Sequence, residues 1–307
     1  MKPLIAILLL AACGFLSAAG IEVAALHPLL GDLARHVGGN RVTVVDLMQP
    51  GSNLHHFEPT AKEMATAVGA QLVLATGKNM EPYLRRLRDA LPSGARVVEL
   101  GDAVPDAAVP ANVHKHDAEC GEHHSEDCCD HGPNDPHWWH TPANMKRAAR
   151  RLAAVLVETD PGHAEEYRAR AREWNREMDE LDAEARVALD TIPPEQRILV
   201  TGHASMCHFC EAYGFVPIAA QGISMQDEGH ASGLADLLVR LRACGAKAIF
   251  TEINASPKML DTIAEQLGIP TFPLITDGND AARRDFASMF RYNVAAIVRG
   301  LAPQQLR

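Results

Sequence analysis

The sequence predicts an α/β protein of two lobes, each with a mostly parallel sheet flanked by helices, joined by one long rigid interlobe helix. Three observations predict it. Short apolar runs alternate with helical stretches, the pattern of parallel βα units. That alternation occurs twice. Between its two occurrences lies a stretch, residues 162–190, dense in Ala, Glu and Arg and free of internal Pro or Gly after its start. At 1.5 Å per residue about 28 helical residues extend ~42 Å, longer than one small lobe needs. At 307 residues the chain is long enough for two units of about 130 residues each.

The elements follow in order. Residues 21–26 read as a first strand and 28–37 as the helix after it. Residues 41–47 alternate as a strand, 60–68 form a helix, and 72–75 are a short buried strand. Residues 81–90 are helical and 96–100 a fourth strand. Thr141-Pro142 opens a helix to about Glu158, the hydroxyl serving as N-cap and the proline sitting at the first helical position. The long helix ends at Pro193-Pro194. The second lobe restarts with strands at 197–201, 216–220, 248–251 and 271–275, and helices at 205–213, 233–244, 257–267 and 283–301. The expected organisation is a signal peptide (1–19), an N-terminal lobe (20–158) carrying a His-rich loop (112–134), the interlobe helix (159–192) and a C-terminal lobe (193–307).

The N-terminus reads as an export signal. Lys2 supplies the positive region, and the apolar stretch 3–16 is too short to span a bilayer. Two processing readings stand: cleavage after Ser17-Ala18-Ala19, leaving a periplasmic protein, or a lipobox at Leu10-Ala-Ala-Cys13, making Cys13 the lipidated first residue. A net charge of -10 excludes the basic face that nucleic-acid binding requires and suits a protein whose ligand is a cation. In an exported chain a disulfide among Cys207, Cys210 and Cys244 is plausible; the alternative is packed free thiols.

The segment from His114 to His140 is the most distinctive. It holds seven of the 15 histidines, three cysteines and seven acidic residues. With almost nothing apolar before Trp138 it cannot bury a core and is expected to be a mobile surface loop. Imidazole, thiolate and carboxylate are the ligand set of zinc. His114, His116, His123, His124 and His131 are read as an accessory collector of metal. Order is expected to resume at Asp135-Pro-His137-Trp-Trp.

Four positions follow strands or abrupt turns, where open α/β sheets place ligands. His55 falls in the turn after the second strand. His137 lies between Asp135-Pro136 and the two tryptophans. His203 ends the strand Ile-Leu-Val-Thr-Gly-His203, and Asp277 follows the last strand. His27, His36, His163 and His230 are read as ordinary surface residues, His27 being nearest the cleft.

Together these segments resemble the metal-binding receptors of bacterial zinc and manganese ABC importers, over nearly the whole chain after the signal. Gly51-Ser-Asn-Leu-His55-His-Phe-Glu-Pro59 is similar to that family's first ligand turn, with Asn53-Leu54 where Asp-Pro is usual. Asp135-Pro-His137-Trp-Trp is similar to its second ligand segment. The segment from His203 to Gly214 aligns with a third and departs from it at Ala204, Met206 and His208. The resemblance implies His55, His137, His203 and Asp277 as metal ligands, and Glu252, in Phe250-Thr-Glu252, as a supporting or substitute carboxylate. It implies a receptor, not an enzyme, monomeric, that captures Zn²⁺ as transported ligand (Mn²⁺ or iron as the alternative) and delivers it to an ABC permease and its ATPase subunit. Membrane contact would come only through the permease or a lipid on Cys13.

Three neutral imidazoles and a carboxylate complete a tetrahedral zinc site. Each histidine is expected to donate its other ring nitrogen to a carboxylate or carbonyl. Affinity is expected to fall below about pH 6, where imidazoles protonate. Manganese prefers more oxygen donors. A secreted zinc hydrolase would need an open water position and a base; there is no His-Glu-x-x-His, and Asp277 would close the site. An adhesin role has no sequence feature for or against it.

Overall fold

The structure is a computed structural model that describes residues 20–49, 51–109, 134–220, 231–253, 256–278 and 280–303. The expected signal peptide with Cys13, the accessory histidines 114, 116, 123, 124 and 131, and His230 lie outside these residues.

In the N-terminal lobe the strands are β1 (Ile21–Ala25), β2 (Val42–Asp46), β3 (Leu72–Ala75) and β4 (Arg96–Glu99), with helices α1 (Pro28–Gly38), α2 (Ala61–Gly69), α3 (Leu84–Ala90) and α4 (Pro142–Thr159). The long helix α5 (Ala164–Leu189) follows. The C-terminal lobe has β5 (Ile198–Thr201), β6 (Val216–Ala219), β7 (Ile249–Glu252) and β8 (Thr271–Leu274), with α6 (Cys207–Tyr213), α7 (Ala231–Cys244), α8 (Lys258–Leu267) and α9 (Phe286–Leu301). The sheets have the same order, β2-β1-β3-β4 and β6-β5-β7-β8, and every pairing is parallel. Strand order reverses beside the central strand of each sheet, so the loops leaving the carboxyl ends open into a crevice.

Every expected strand and helix of these segments forms, with shifts at the ends that have local causes. Thr141 accepts from Asn144 N at 3.2 Å, capping α4 as its sequence predicts. α3 begins three residues late because the Glu81 carboxylate turns back to accept from Thr76 N (2.6 Å) and Gly77 N (3.1 Å). α6 also starts late: Ser205 N and Thr201 Oγ1 both donate to the His203 carbonyl, a tight turn that presents His203.

α5 buries Tyr167, Ala171, Trp174, Met178, Leu181, Ala185 and Leu189, a stripe at helical spacing, and packs on α1 and α4 of one lobe and α9 of the other. One apolar core runs continuously from Val23 and Leu74 through Leu152, Trp174 and Met178 to Phe250 and Phe290. Smaller clusters back the outer faces of the two sheets. A shared core resists hinge opening because separating the lobes would expose apolar surface.

Candidate metal centre

His55 sits in a 3-10 turn, Leu54–His56, beyond β2. The Asn53 side chain caps that turn, accepting from His55 N at 2.8 Å. His55 turns inward and is buried, whereas its neighbour His56 is exposed. His137 precedes the 3-10 turn Trp138–His140 that leads into α4. His203 follows β5, Glu252 ends β7 and Asp277 follows β8.

The Nε2 atoms of three of these residues converge from the two lobes. His55 to His137 is 3.1 Å, and His203 is 3.3 Å from each of them. Ligand nitrogens on a tetrahedral zinc with bonds of about 2.0–2.1 Å stand ~3.3–3.4 Å apart, so this triangle has the size of one face of that tetrahedron. Among the described residues these three form the group whose donor atoms lie within 4.8 Å of one another.

Carboxylates orient two of the rings. Asp135 Oδ1 accepts from both His137 Nδ1 (2.7 Å) and His137 N (2.8 Å). Glu252 accepts from His203 Nδ1 (2.8 Å) and His203 N (3.1 Å). With their Nδ1 protons held by carboxylates, both imidazoles aim Nε2 lone pairs at one point, an arrangement that a cation relieves. Gly202 lets Glu252 approach: a Cβ there would stand 2.8 Å from Glu252 Oε1. Glu252 therefore positions His203 in this arrangement.

Asp277 is buried beside the triad without belonging to the close group. Its Oδ2 accepts from Leu54 N, in the opposite lobe, at 3.3 Å, and its Oδ1 from Thr276 Oγ1 at 3.3 Å. Burial raises its pKa above the usual carboxylate range, against the pull of His203. For His203 burial acts to lower the pKa, but Glu252, Asp277 and Asp135 outweigh it and hold the pKa above the ordinary value.

Several residues beyond the expected ligands support the site. Asp135 is fully buried and ties the lobes together: Oδ2 accepts from Cys207 N at 2.9 Å and its carbonyl from His208 Nε2 at 3.0 Å. His208, at one of the departures from the resembled segment, completes this link by accepting from Asn144 Nδ2 at 3.3 Å. Trp139 Nε1 donates to the Thr276 carbonyl at 2.9 Å. The signal for Asp135 was its place two residues before His137; nothing local marks Asn144.

One expectation is corrected and one open alternative is decided. His27 is not a surface residue: it is 1% exposed, caps α1 by accepting from Leu29 N, and packs on Trp139. Helix capping beside a strand end draws it into the interlobe interface. Cys207, Cys210 and Cys244 are free thiols. Cys207 and Cys210 are held apolar within α6, where burial pushes both thiols up, while Cys244 points to the Leu241 carbonyl of its own helix. His36 and His163 are partly exposed as expected, each beside an aspartate.

A two-lobed parallel α/β frame with inward-facing imidazoles between its lobes defines a metal-binding receptor. Residues 23–300 match the family model described as zinc-uptake complex component A, periplasmic, and the chain belongs to that family of metal-binding periplasmic receptors of ABC importers. Its members are receptors and not enzymes. The chain is similar to the iron-binding protein YfeA of Yersinia pestis, 26% identical over 80% of this chain and 74% of that protein. It is similar to the manganese ABC transporter substrate-binding lipoprotein PsaA of Streptococcus anginosus, 25% identical over 92% of this chain and 89% of that one. Among solved structures, the periplasmic zinc-binding protein TroA of Treponema pallidum shares the fold, with a TM-score of 0.78 at 23% identity over 92% of this chain and 100% of that one.

Proposed function

We propose that this receptor takes Zn²⁺ as its cargo, held by His55, His137, His203 and Asp277, and passes it to an ABC permease driven by its ATPase subunit. The observation that carries this reading is the triangle of Nε2 atoms, 3.1 to 3.3 Å on a side. Zinc accepts a small tetrahedral set of nitrogen donors, whereas manganese favours more oxygen and higher coordination. Glu252, the nearest additional carboxylate on the His203 side, is already engaged by His203, which leaves Asp277 as the oxygen donor of the set. The monomeric chain would act outside the cytoplasm after removal of residues 1–19, or tethered through Cys13. No helix among the described residues is long and apolar enough to cross a membrane. Residues 112–134 would collect metal beside the site without forming it.

The test is titration of the exported chain with Zn²⁺ and Mn²⁺, with and without residues 112–134. One tight zinc site that survives the deletion, prefers zinc to manganese and is lost in His203→Ala is the expected result. Loss of all tight binding on deleting the loop would overturn the four-ligand assignment; equal or tighter manganese binding would overturn the cargo.

A further inference from the structure

The His27 imidazole makes one hydrogen bond and lacks another. Its Nδ1 accepts from Leu29 N at 3.2 Å, so the neutral ring carries its proton on Nε2. That Nε2 is buried and has no hydrogen-bond partner among the described residues. A buried donor left unpaired costs about 1–3 kcal/mol and calls for an explanation.

The acceptor it faces belongs to the loop that carries Asp277. Three successive carbonyls of that loop present themselves to side chains. The Ile275 carbonyl accepts from Asn293 Nδ2 at 2.8 Å. The Thr276 carbonyl accepts from Trp139 Nε1 at 2.9 Å. The third, on Asp277, faces His27 without reaching hydrogen-bond geometry. The turn comes close enough for the last bond only because residue 278 is glycine. With φ at +61°, a Cβ there would stand 2.6 Å from Leu29 Cδ1 and 3.0 Å from His27 Cε1.

Asp277 is also the member of the proposed ligand set that stands apart from the other three. At least one of its distances to the three imidazole nitrogens exceeds 4.8 Å, against the ~3.3 Å that two ligands of one tetrahedral zinc require. Metal capture therefore calls for a relative movement of more than about an ångström between the Asp277 carboxylate and the triad.

We propose that His27 is a positioning residue for Asp277. When the metal draws the Asp277 carboxylate to the triad, the Asp277 carbonyl closes on His27 Nε2–H, completing the row begun by Asn293 and Trp139. The start of α1 in one lobe thereby holds the ligand loop of the other in its metal-bound position. This rests on the zinc-site reading above.

A double-mutant cycle on zinc affinity tests it. His27→Asn keeps a cap for Leu29 N but cannot reach Asp277. It is expected to weaken zinc about 10-fold in the unaltered chain, as removal of outer partners of metal ligands does, and to have no further effect in an Asp277→Ala background. An equal loss in both backgrounds, or none in the first, overturns the proposal. The unsubstituted chain supplies a second measurement by imidazole ¹⁵N NMR. Zinc is expected to slow exchange of the His27 Nε2 proton; an Nδ1-protonated ring, or an unchanged exchange rate, overturns it. His203→Ala run in parallel separates the two readings. Tight zinc binding retained there defeats the metal site itself, whereas loss there with a neutral His27→Asn defeats only the role of His27.

Discussion

Replacing Glu252 by Gln removes one charge and almost no volume, and it isolates what the carboxylate does. Glu252 accepts two bonds from His203, one from the backbone N–H at 3.1 Å and one from Nδ1–H at 2.8 Å. A glutamine has one acceptor oxygen and one NH₂ group, so one of those donors would meet another donor. If the amide oxygen keeps the backbone N–H, the His203 ring must accept at Nδ1 and carry its proton on Nε2, the atom meant for the metal. Loss of such an outer partner costs about 10–100-fold in metal affinity, or about 1.4–2.7 kcal/mol. The pH dependence should move as well. For His203 burial lowers the pKa, and Glu252 is the foremost influence raising it above 6.5. In the natural chain protons therefore compete for His203 from above pH 6.5 downward, a higher onset than the sequence alone predicts. In Glu252→Gln burial dominates, and the competition moves to lower pH. The assay is competition for zinc against a chromophoric chelator from pH 5 to 8. A variant with unchanged affinity at pH 8 and an unchanged pH midpoint would refute the reasoning.

Three further outcomes follow from the same structure. Burial lowers the pKa of His27 to about 4 and of His140 to about 3, while the unfolded chain protonates both near 6.5. The metal-free protein should thus be most stable above that pH and lose about 1.4 kcal/mol per pH unit for each ring as pH falls toward 4. Urea unfolding at pH 7.5 and 5 measures this, and a His27→Gln/His140→Gln chain with the same pH dependence would contradict it. Leu152, fully buried in α4, should cost about 2–5 kcal/mol when cut to Ala, with zinc stoichiometry unchanged; the thermal midpoint and a titration report both. Since Cys207, Cys210 and Cys244 are free, alkylation of the unfolded, unreduced chain should label all three by mass spectrometry, and a disulfide-linked peptide pair would contradict the structure.

The alternation of strands and helices, the proline-bounded long helix and the cap at Thr141 were legible because they are local: periodicity and capping are set by residues within a few positions of one another. His55, His203 and Asp277 stood out for a related reason, since each follows a strand whose end the sequence marks, and His137 because Asp135-Pro136 and two tryptophans flank it. Glu252 was legible as a supporting carboxylate, but its engagement with His203 depends on the approach allowed by Gly202 and on the pairing of β5 with β7.

What the sequence by itself determined is the class of fold, the order of its elements and the chemistry gathered at their ends. Only the tertiary structure decided which nitrogens converge, that Asp135 binds both His137 and the first turn of α6, that the cysteines stay apart, and that His27 belongs to the interior. The physical reason is distance along the chain. The contacts that join the separate segments of this site link residues 49 to 223 positions apart, and a hydrogen bond across such a span leaves no periodic trace in the residues between.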